Sequence, residues 1–381
     1  MRNIKNKKIY PEHFDFTQCK LRRKVFVAMS GGVDSSAAAW LLKKQGFKVV
    51  GVFFNLGQVQ YDKSLAAAKK VAQKIGMPLK VIDLKKKFRR EVIDYFLKSY
   101  QQGSTPNPCI VCNKKIKFGL LLRLAKKYKA DFIATGHYAR LQRNFKYQVL
   151  NFKNSNIKNS FKIKNLKLKI ARDSVKDQSY FLYTLTQGQL AKIIFPLGDY
   201  TKEEVKKIAE KNHLPYLKKE SQDICFLFCE TAEFLKQNLK LKPGPIVTMA
   251  GQLLGRHEGL PLYTSGQRRA IKIGGSGPFY VAGRDFKENQ LIVTGKFDDS
   301  VLYSDKLLAG QVNWLAGESP KLPLKCRARI RYQQSLVHCL VSKKGKNYLV
   351  KFSQKLRAIT PGQSVVFYRD GTVLGGGIIK K

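Results

Sequence analysis

The chain has 381 residues, 44% of them hydrophobic, which indicates two or three globular domains and excludes a disordered polybasic protein. It carries 72 Lys and Arg against 26 Asp and Glu, a formal charge of +46. This excess predicts a polyanionic partner, most plausibly nucleic acid, although a general drift toward Lys, Asn and Ile also explains part of it. Because no apolar run reaches about 18 residues and the amino-terminal segment lacks the apolar stretch of a secretory signal, we expect a cytoplasmic protein without membrane contact.

Strand and helix patterns alternate over the first third of the chain. The predicted strands are 24–30, 47–54, 79–84 and the segment "DFIATGHY" at 131–138. The predicted helices are 35–45, 63–75, 88–100 and the segment "KKIKFGLLLRLAKKYK" at 114–129. This alternation predicts a doubly wound parallel sheet with helices on both faces, and a ligand site at the carboxyl ends of its strands.

The pattern changes in the second half of the chain. Residues 143–170 are rich in Lys and Asn and predict a hairpin with a basic tip. Gly and Pro become frequent from about residue 240, and short β-rich segments from about residue 300 predict a small β-barrel. The fold class is therefore α/β with a small central domain and a C-terminal barrel. The predicted divisions are an extension at 1–23, a catalytic domain at 24–225, a central domain at 226–298 and a barrel at 299–381.

The seven cysteines argue against a disulfide framework, because the protein is expected in a reducing compartment. Cys109 and Cys112 form a C-x-x-C pair, and Cys225 and Cys229 a C-x-x-x-C pair. The isolated residues are predicted to be small buried hydrophobic side chains, and they are Cys19, Cys326 and Cys339.

The segment "MSGGVDSSAAAW" at 29–40 lies between the first predicted strand and the first predicted helix. Its glycines let backbone amides approach an anion, and the helix N-terminus adds a favourable dipole. Ser30, Ser35 and Ser36 can donate further hydrogen bonds, and the carboxylate of Asp34 would need a cation, presumed to be Mg²⁺, beside phosphates. No Walker motif is present, and "SGGVDSS" resembles instead the PP-loop of ATP pyrophosphatases, which cleave ATP to AMP and pyrophosphate.

Six further segments extend this resemblance, and they occur in the same order as in one family. They are "TPNPCIVCNKKIKF" (105–118), "IATGHYAR" (133–140), "KDQSYFLYTL" (176–185), "SQDICF" (221–226), "TSGQRRAIKIGG" (264–275) and "TPGQSVVFY…LGGGII" (360–379). Together with the phosphate loop they resemble the tRNA-specific 2-thiouridylases, the MnmA/TrmU family, over residues 24–381. The resemblance implies an adenine nucleotide alpha-hydrolase-like fold for the first domain.

The resemblance also implies an activity. Members of the family activate the C2 carbonyl of the wobble uridine of certain tRNAs with ATP and replace its oxygen with sulfur. Adenylation is needed because the carbonyl oxygen is a poor leaving group, and a cysteine persulfide then supplies the nucleophilic sulfur. The resemblance implies tRNAs for Lys, Glu and Gln, a protein that donates the sulfur, and the cofactors ATP and Mg²⁺. A monomer is the simplest expectation.

Nucleotide-binding positions are carried over from the family residue by residue. For Phe54 the alternative is plain strand core. The residues are Ala28, Met29, Ser30, Gly31, Gly32, Val33, Asp34, Ser35, Phe54 and Gly136.

Two cysteines match the family's reactive pair. Cys112 corresponds to the nucleophile and Cys225 to the cysteine that carries the persulfide. Lys114, Lys115 and a helix predicted to begin just after Cys112 would favour its thiolate. In the family's scheme the persulfide attacks the adenylated uridine, and Cys112 then releases the sulfur by forming a disulfide.

Positions that match tRNA contacts of the family are also present, with Asn107 and Pro108 touching the target base. Asp177 could instead be a helix cap, and Gln363 part of an ordinary turn. Three arginines occupy alternate positions, Arg327, Arg329 and Arg331, so they would lie on one face of a strand. Such a row of cations suits a phosphate backbone, and the alternative is a face that only contacts solvent. The predicted contacts are Asn107, Pro108, Cys109, His137, Lys176, Asp177, Gln178, Arg331, Tyr332 and Gln363.

One position departs from the family's pattern. Many members carry an aspartate where this chain has Cys109. Cys109, Cys112 and Cys225 could hold a [4Fe–4S] cluster whose free iron binds sulfide. The other options are a zinc site that also uses Cys229, and no metal with the persulfide route intact.

Two other functions stay open at this stage. The first is a different PP-loop ligase that adenylates a small molecule, although such a substrate needs neither the paired cysteines nor a basic β-rich region. The second is an RNA-binding protein without catalysis, against which the intact phosphate-loop motif argues.

Overall fold

The computed structural model describes residues 23–142, 166–217, 224–227, 229–271, 273 and 277–380. It divides into two compact units, each built from two separate stretches of chain. Unit 1 comprises Met1–Leu84 and Asn113–Ser221, and unit 2 comprises Lys85–Cys112 and Gln222–Lys381. Residues 85–112 therefore group with the second half of the chain in this division, and the predicted domain boundaries stay a prediction. Within the described ranges, no helix is both long and apolar enough to cross a membrane.

The strands of the described residues run from β1 to β17. In chain order they are β1 (Lys24–Met29), β2 (Lys48–Asn55), β3 (Leu79–Asp83), β4 (Phe132–Ala134), β5 (Arg140–Gln142), β6 (Lys167–Lys169), β7 (Ile193–Ile194), β8 (Gly244–Thr248), β9 (Leu253–His257), β10 (Tyr280–Asp285), β11 (Gln290–Thr294), β12 (Tyr303–Trp314), β13 (Leu324–Arg329), β14 (Val337–Lys344), β15 (Asn347–Arg357), β16 (Ser364–Arg369) and β17 (Thr372–Ile379).

The α-helices of the same residues are, in chain order, α1 (Val33–Lys44), α2 (Tyr61–Lys74), α3 (Lys85–Phe88), α4 (Asp94–Gln101), α5 (Pro108–Cys112), α6 (Phe118–Lys127), α7 (Gln187–Leu190), α8 (Lys202–Lys211) and α9 (Thr231–Asn238). Two π-helical stretches, Arg89–Ile93 and Asn113–Lys117, follow α3 and α5 directly.

Unit 1 contains a parallel sheet of five strands in the order β3-β2-β1-β4-β7. The predicted parallel sheet is confirmed, and the four predicted strands overlap β1 to β4. The central strands are continuous apolar runs because both of their faces are covered; Phe26 and Phe53 have no exposed surface. Strand β7 was not predicted, since two residues are too few to show a periodicity. Strands β5 and β6 pair antiparallel, as expected for the base of the predicted hairpin, whose tip (143–165) lies outside the described residues.

The helix that carries the C-x-x-C pair begins earlier than the sequence predicted. The sequence predicted a helix at 114–129. Helix α5 instead begins at Pro108, where a missing N–H costs nothing and the fixed φ suits the first turn. Cys112 is therefore the last residue of this short helix, directly before the π-helical stretch Asn113–Lys117, and Cys109 is its second residue.

Unit 2 contains two β-structures. The first is a sheet of four strands in the order β10-β11-β8-β9, in which β8 and β11 are parallel and the other pairs antiparallel. The second is the predicted barrel, in which the strands follow the order β12-β15-β14-β13-β16-β17 and the antiparallel pair β12–β17 closes the ring. Closure leaves no open edge within the ring.

Alternation along β13 and β14 decides which side chains fill the barrel. Leu324, Cys326 and Ala328 are buried in its core, while the residues between them are more exposed. Cys326 lies directly opposite Cys339 in the β13–β14 register, and their sulfur atoms are 3.6 Å apart. The predicted burial of these two cysteines is correct, but they form a pair and do not stand alone. Cys19 lies outside the described residues.

Candidate active site

The predicted phosphate loop connects β1 to α1 at the carboxyl edge of the sheet. Gly31 has a φ of +79°, and a Cβ atom there would lie 2.4 Å from the carbonyl oxygen of Ser64. Only glycine satisfies both the backbone angle and this close approach. Gly32 is extended and precedes α1 without a side-chain cap, so the first amides of the helix are available to an anion.

Serine hydroxyls hold the shape of this loop. Ser35 and Ser36 both donate to the carbonyl oxygen of Gly32, at 3.0 and 2.9 Å. The hydroxyl of Ser35 also accepts the N–H of Ser30 at 3.2 Å. Ser35 and Ser36 are buried and their hydroxyls bond within the loop, while Ser30 is exposed. The contact of these hydroxyls with a phosphate stays a prediction, and the backbone amides before α1 are further donors.

The carboxylate of Asp34 lies among three donor contacts. The Nζ atom of Lys202 is 2.8 Å from each of its oxygens, and the hydroxyl of Tyr138 donates to Oδ1 at 2.7 Å. The side chain of Lys202 is 12% exposed, so this pair is more shielded than an ordinary surface ion pair. Sequence reasoning missed both partners, since they lie 104 and 168 positions from Asp34.

Lys202 is held at the start of α8 by a capping box. The Thr201 hydroxyl accepts the N–H of Glu204, and the Glu204 carboxylate accepts the N–H of Thr201. The Asp173 carboxylate accepts the N–H of Lys202 at 2.9 Å. Burial alone would raise the pKa of Asp173, but backbone N–H donors from Lys202, Lys176 and Val175 outweigh it and lower that pKa. The "TKEE" sequence could have revealed this cap.

The donor set around Asp34 was tested for a magnesium ion. Mg²⁺ is commonly held by one or two carboxylates together with substrate phosphates. Asp34 supplies one carboxylate beside the free amides of the loop, so the residues fit an ion that a nucleotide brings with it. They do not fit a site made by protein alone: among the residues described, no group of three His, Cys, Asp or Glu could hold a metal ion.

Two further predicted nucleotide positions lie near the loop or in the strand next to it. A Cβ atom on Gly136 would lie 2.8 Å from the carbonyl carbon of Asp34 and 2.9 Å from the amide of Ser35, so a larger residue would displace the loop. Phe54 is buried on β2 with 8% of its surface exposed, which agrees with the strand-core alternative. Its role in nucleotide binding stays a prediction.

The predicted tRNA contacts from 137 to 178 are mostly inside unit 1. His137 is buried, with Nδ1 2.7 Å from the hydroxyl of Thr135, and burial together with the charge of Lys117 lowers its pKa well below 6.5. Asp177 is 2% exposed and accepts the N–H groups of Ala171 and Ser179. His137 and Asp177 therefore support the fold from within, and a direct role in RNA contact remains a prediction.

Lys176 and Gln178, the two residues next to Asp177 in the chain, are less buried than Asp177. The Gln178 side chain accepts the N–H of Tyr138 at 3.0 Å, and the backbone N–H of Lys176 donates to Asp173 at 3.0 Å. Both are partly exposed. They could contact a ligand while they also order the segment that carries Tyr138.

Unit 2 contains the cysteines predicted to transfer sulfur. Cys112 is 5% exposed, Cys109 is partly exposed and Cys225 is exposed. Cys225 lies in a turn at 224–226, and the next residue, Phe226, is buried against Phe88, Phe96 and Phe234 with ring centroids 5.4–5.8 Å away. None of the described cysteines forms a disulfide. Among the described residues, no group of three His, Cys, Asp or Glu side chains is arranged to hold a metal ion. A cluster on Cys109, Cys112 and Cys225 therefore stays a prediction.

Two of the other predicted tRNA contacts, Arg331 and Gln363, line a pocket of about 330 Å³ in unit 2. Gln363 donates from Nε2 to the carbonyl oxygen of Thr105 at 3.0 Å, directly before the segment with Asn107 and Pro108. Arg331 donates to Ala358 and to the Thr360 hydroxyl at 2.6 and 3.1 Å. The "TSGQ" segment, which had no predicted role, forms another wall. The lining residues are Thr105, Thr264, Ser265, Gly266, Gln267, Arg331, Thr360 and Gln363.

The expected row of arginines is partly present. Arg327 and Arg329 lie on the same face of β13 because the residues between and after them are buried, whereas Arg331 lies beyond the end of the strand. The Arg329 guanidinium stacks over Tyr368 at 5.2 Å, and Tyr332 is partly exposed next to Arg331. Two cations of the three therefore share a strand face.

Comparisons with known proteins agree with this architecture. Three family models match in succession: the tRNA methyl transferase HUP domain at 23–228, the tRNA methyl transferase PRC-barrel domain at 232–295 and the aminomethyltransferase beta-barrel domain at 304–379. A tRNA-specific 2-thiouridylase MnmA from Syntrophomonas wolfei is 40% identical over 362 residues, covering 93% of this chain and 99% of the relative. The one from Idiomarina loihiensis is 42% identical over 376 residues, covering 94% and 96%.

Among solved structures, a 4-thiouridine synthetase in complex with RNA and bound ATP is 18% identical, with a TM-score of 0.33. The matched region is 50% of this chain and 40% of the synthetase chain. A similarity this low supports no conclusion about function. The two 2-thiouridylases at 40% and 42% identity match 93% and 94% of this chain, and they establish its family. The chain belongs to the family of tRNA-specific 2-thiouridylases.

Proposed function

We propose that this protein replaces the C2 oxygen of the wobble uridine in tRNA with sulfur, using ATP and releasing AMP and pyrophosphate. The observation that carries the proposal is the phosphate loop, in which Gly31 and Gly32 free the backbone amides before α1 while Asp34 stands beside them. Such a loop binds the phosphates that adenylation requires. Acceptor tRNAs for Lys, Glu and Gln follow from family membership.

In the first step, the C2 oxygen of the uridine attacks the α-phosphorus of ATP, and pyrophosphate leaves with the electron pair of the broken P–O bond. The loop amides hold phosphate oxygens and stabilise the charge that develops on them. Asp34 would hold Mg²⁺, which neutralises phosphate charge when bound. Lys202 and Tyr138 orient the Asp34 carboxylate, as their contacts with its oxygens suggest.

In the second step, sulfur arrives as a persulfide on Cys225. Its terminal sulfur attacks C2, and AMP leaves with the former carbonyl oxygen. The Cys112 thiolate then attacks the Sγ atom of Cys225, the S–S bond breaks, and its electron pair stays on the sulfur now attached to C2. This yields 2-thiouridine and a disulfide between Cys112 and Cys225, which an external thiol reduces before the next turnover.

The exposure of Cys225 supports delivery of this sulfur by a separate protein, because a partner's persulfide must reach the thiolate directly. The cluster alternative has no grouped donor set among described residues, so no step is assigned to iron or zinc. Cys109 would then lie next to the target base, together with Asn107 and Pro108.

For tRNA binding we propose the pocket around Arg331 and Gln363 in unit 2, with Tyr332 next to Arg331. Lys176 and Gln178 are proposed separately as contacts made by unit 1. The formal charge of +46 favours association with any RNA phosphate backbone. We infer a cytoplasmic monomer with a catalytic domain at 24–225, a central domain at 226–298 and a barrel at 299–381.

The test is the formation of 2-thiouridine on unmodified tRNA, measured by nucleoside mass spectrometry. Iron-free protein is supplied with ATP, Mg²⁺ and either a persulfide donor or inorganic sulfide, and anaerobically purified protein is the comparison. Product from iron-free protein with the persulfide donor is expected. Product that requires iron would overturn the assignment of Cys225 as persulfide carrier.

A parallel measurement separates this function from a small-molecule ligase. AMP release should depend on added tRNA, because the uridine oxygen is the acceptor of the adenylyl group. Equal release of AMP without RNA would favour the ligase.

A further inference from the structure

The side chain of Gln58 bonds to two backbone groups at the end of strand β2. Its Oε1 atom accepts the N–H of Leu56 at 2.8 Å, and its Nε2 atom donates to the carbonyl oxygen of Phe54 at 3.3 Å. One side-chain amide therefore satisfies an acceptor and a donor that lie two residues apart. The proposed reaction gives Gln58 no role.

These two backbone groups point toward the side of β2 on which β1 lies. In a strand, the N–H and C=O groups of successive residues point to opposite neighbours. The carbonyl oxygen of Asn55 accepts the N–H of Leu84, which directly follows β3. Phe54 and Leu56 flank Asn55, so their C=O and N–H groups face the other neighbour of β2, which is β1.

The phosphate loop begins where β1 would otherwise continue this ladder. The ladder starts with the N–H of Lys48 on the carbonyl oxygen of Arg23, and Met29 and Phe53 form its last register pair. One step further, the carbonyl oxygen of Phe54 would accept the N–H of Gly31. Gly31 instead has a φ of +79°, which turns the chain into the loop. The Phe54 carbonyl oxygen therefore faces the loop side of the sheet edge, where the amide of Gln58 meets it.

The two backbone groups are complementary to adenine, and we call them the adenine-edge site. The Watson–Crick edge of adenine presents a donor, its amino group, next to an acceptor, N1. A glutamine amide presents the same pair, an NH₂ group beside an oxygen. Gln58 thus makes the two hydrogen bonds that an adenine edge would make at Phe54 and Leu56. The phosphate loop on the same side of β2 would hold the phosphates of such a nucleotide.

We propose that the Gln58 amide occupies the adenine-edge site in the nucleotide-free protein and leaves it when ATP binds. The inference rests on the proposed use of ATP. Gln58 is half-buried between the exposed residues Gly57 and Val59, so its side chain has solvent to rotate into. The amide competes with the base, and only the fraction of protein with an open site binds adenine. Gln58 therefore lowers the apparent affinity for adenine nucleotides.

The experiment measures equilibrium binding of adenosine, ATP and tripolyphosphate to the full chain with Mg²⁺. Gln58→Ala should bind adenosine and ATP roughly 3- to 10-fold more tightly than the wild-type protein, because no amide competes. Tripolyphosphate engages the loop without a base and should bind both proteins equally. Gln60→Ala is the matched control, because this exposed glutamine of the same segment does not cap α2 with its side chain. It should leave all three affinities unchanged.

Hydrogen exchange locates the effect at the proposed site. The N–H of Leu56 should exchange faster in Gln58→Ala than in the wild-type protein and become protected again when adenosine is added. Gln58→Asn keeps the amide on a side chain too short to span both groups, and should behave like Gln58→Ala in both measurements. Thermal melting checks that each variant is folded.

Inosine tests the polarity of the site. It presents an acceptor oxygen and an N1–H donor where adenine has a donor and an acceptor, so it should bind the wild-type protein at least roughly tenfold more weakly than adenosine. Inosine that binds as tightly as adenosine would overturn the assignment of the site to adenine.

Two further results would overturn the proposal. One is an adenosine affinity that falls or stays the same in Gln58→Ala, including the case in which neither protein binds adenosine. The other is an equal gain in affinity for tripolyphosphate, which would place the effect in the phosphate loop. None of these measurements uses tRNA or a sulfur donor. A failure of the proposed function would appear separately, as ATP that binds without formation of 2-thiouridine.

Discussion

The phosphate loop of unit 1 and the Cys225 turn of unit 2 are positioned by different kinds of contact. In the loop, the Ser35 and Ser36 hydroxyls and the packing of Gly31 and Gly136 hold the backbone itself. The turn presents an exposed thiol and is anchored through the neighbouring side chain of Phe226. If the proposed roles are correct, the nucleotide site is preformed and the thiol proposed to carry sulfur is accessible to a donor.

The largest expected effect is on thiolation and comes from a substitution in the Cys225 turn that leaves the phosphate loop unchanged. Cys225→Ser should lower 2-thiouridine formation by at least roughly 1,000-fold, because the hydroxyl cannot carry a persulfide. ATP affinity should not change, since the loop is built without this residue. Nucleoside mass spectrometry and equilibrium binding of ATP measure the two quantities. Cys229→Ser, four residues away, is the matched control and should retain most activity.

Gly136→Ala tests whether the loop is preformed. The added methyl group would meet the backbone of Asp34 and Ser35 at 2.8–2.9 Å, so the loop must shift. Overpacking of about 1–3 kcal/mol corresponds to an increase of roughly 5- to 150-fold in the Kd for ATP. Gly188→Ala is the control, because a Cβ atom there has no neighbour within 4 Å. Unchanged ATP binding in Gly136→Ala would contradict a rigid loop.

Phe226→Ala tests the anchor of the Cys225 turn. Removing a buried aromatic ring should lower the free energy of unfolding by about 3 kcal/mol and thiolation by roughly tenfold, with ATP affinity unchanged. Phe226→Leu keeps most of the apolar volume, so its free energy of unfolding and its thiolation activity should fall less. Chemical denaturation and single-turnover thiolation are the measurements. A parallel loss of ATP affinity would mean that the anchor also supports the nucleotide site.

Lys202→Met tests whether Lys202, the ion-pair partner of Asp34 that the sequence did not indicate, orients the Asp34 carboxylate. Without the ammonium group of Lys202, the Asp34 carboxylate loses both contacts with Nζ and keeps the hydrogen bond from Tyr138, so it is less firmly oriented. Because the Asp34 side chain is 34% exposed, solvent limits the effect, and we expect about a fivefold weaker affinity for ATP with Mg²⁺. Lys207→Met, an exposed position of the same helix, is the control. Equal affinities of the two variants would exclude an orienting role.

The last prediction concerns the pH dependence of the free energy of unfolding. His137 is buried with a pKa well below 6.5, so the unfolded chain binds a proton more readily than the folded one. Its contribution is present above pH 6.5 and is lost as the pH falls below that value, by up to about 1.4 kcal/mol per pH unit. Denaturation from pH 7 to 5 should show this slope and His137→Gln should reduce it. His338→Gln, which replaces an exposed histidine, should not.

Local patterns in the sequence predicted much of the fold. Alternating apolar strands and amphipathic helices indicated the parallel sheet, because burial on both faces requires continuous apolar runs. Closely spaced glycines at a strand–helix junction indicated the phosphate loop, because only glycine tolerates the φ of +79° at Gly31. Short β-rich segments after residue 300 indicated the barrel.

Other features depend on positions that are distant along the chain. Lys202 and Tyr138 meet Asp34 across 168 and 104 positions, and Gln363 meets Thr105 across 258. The register of β13 and β14 decides that Cys326 faces Cys339, since a shift of one residue would turn one of them outward. Sequence by itself determined the elements and the chemical groups of this protein, because these follow from local backbone preference and apolar periodicity. The tertiary structure alone decided which of those groups share a site, because that depends on strand order and register.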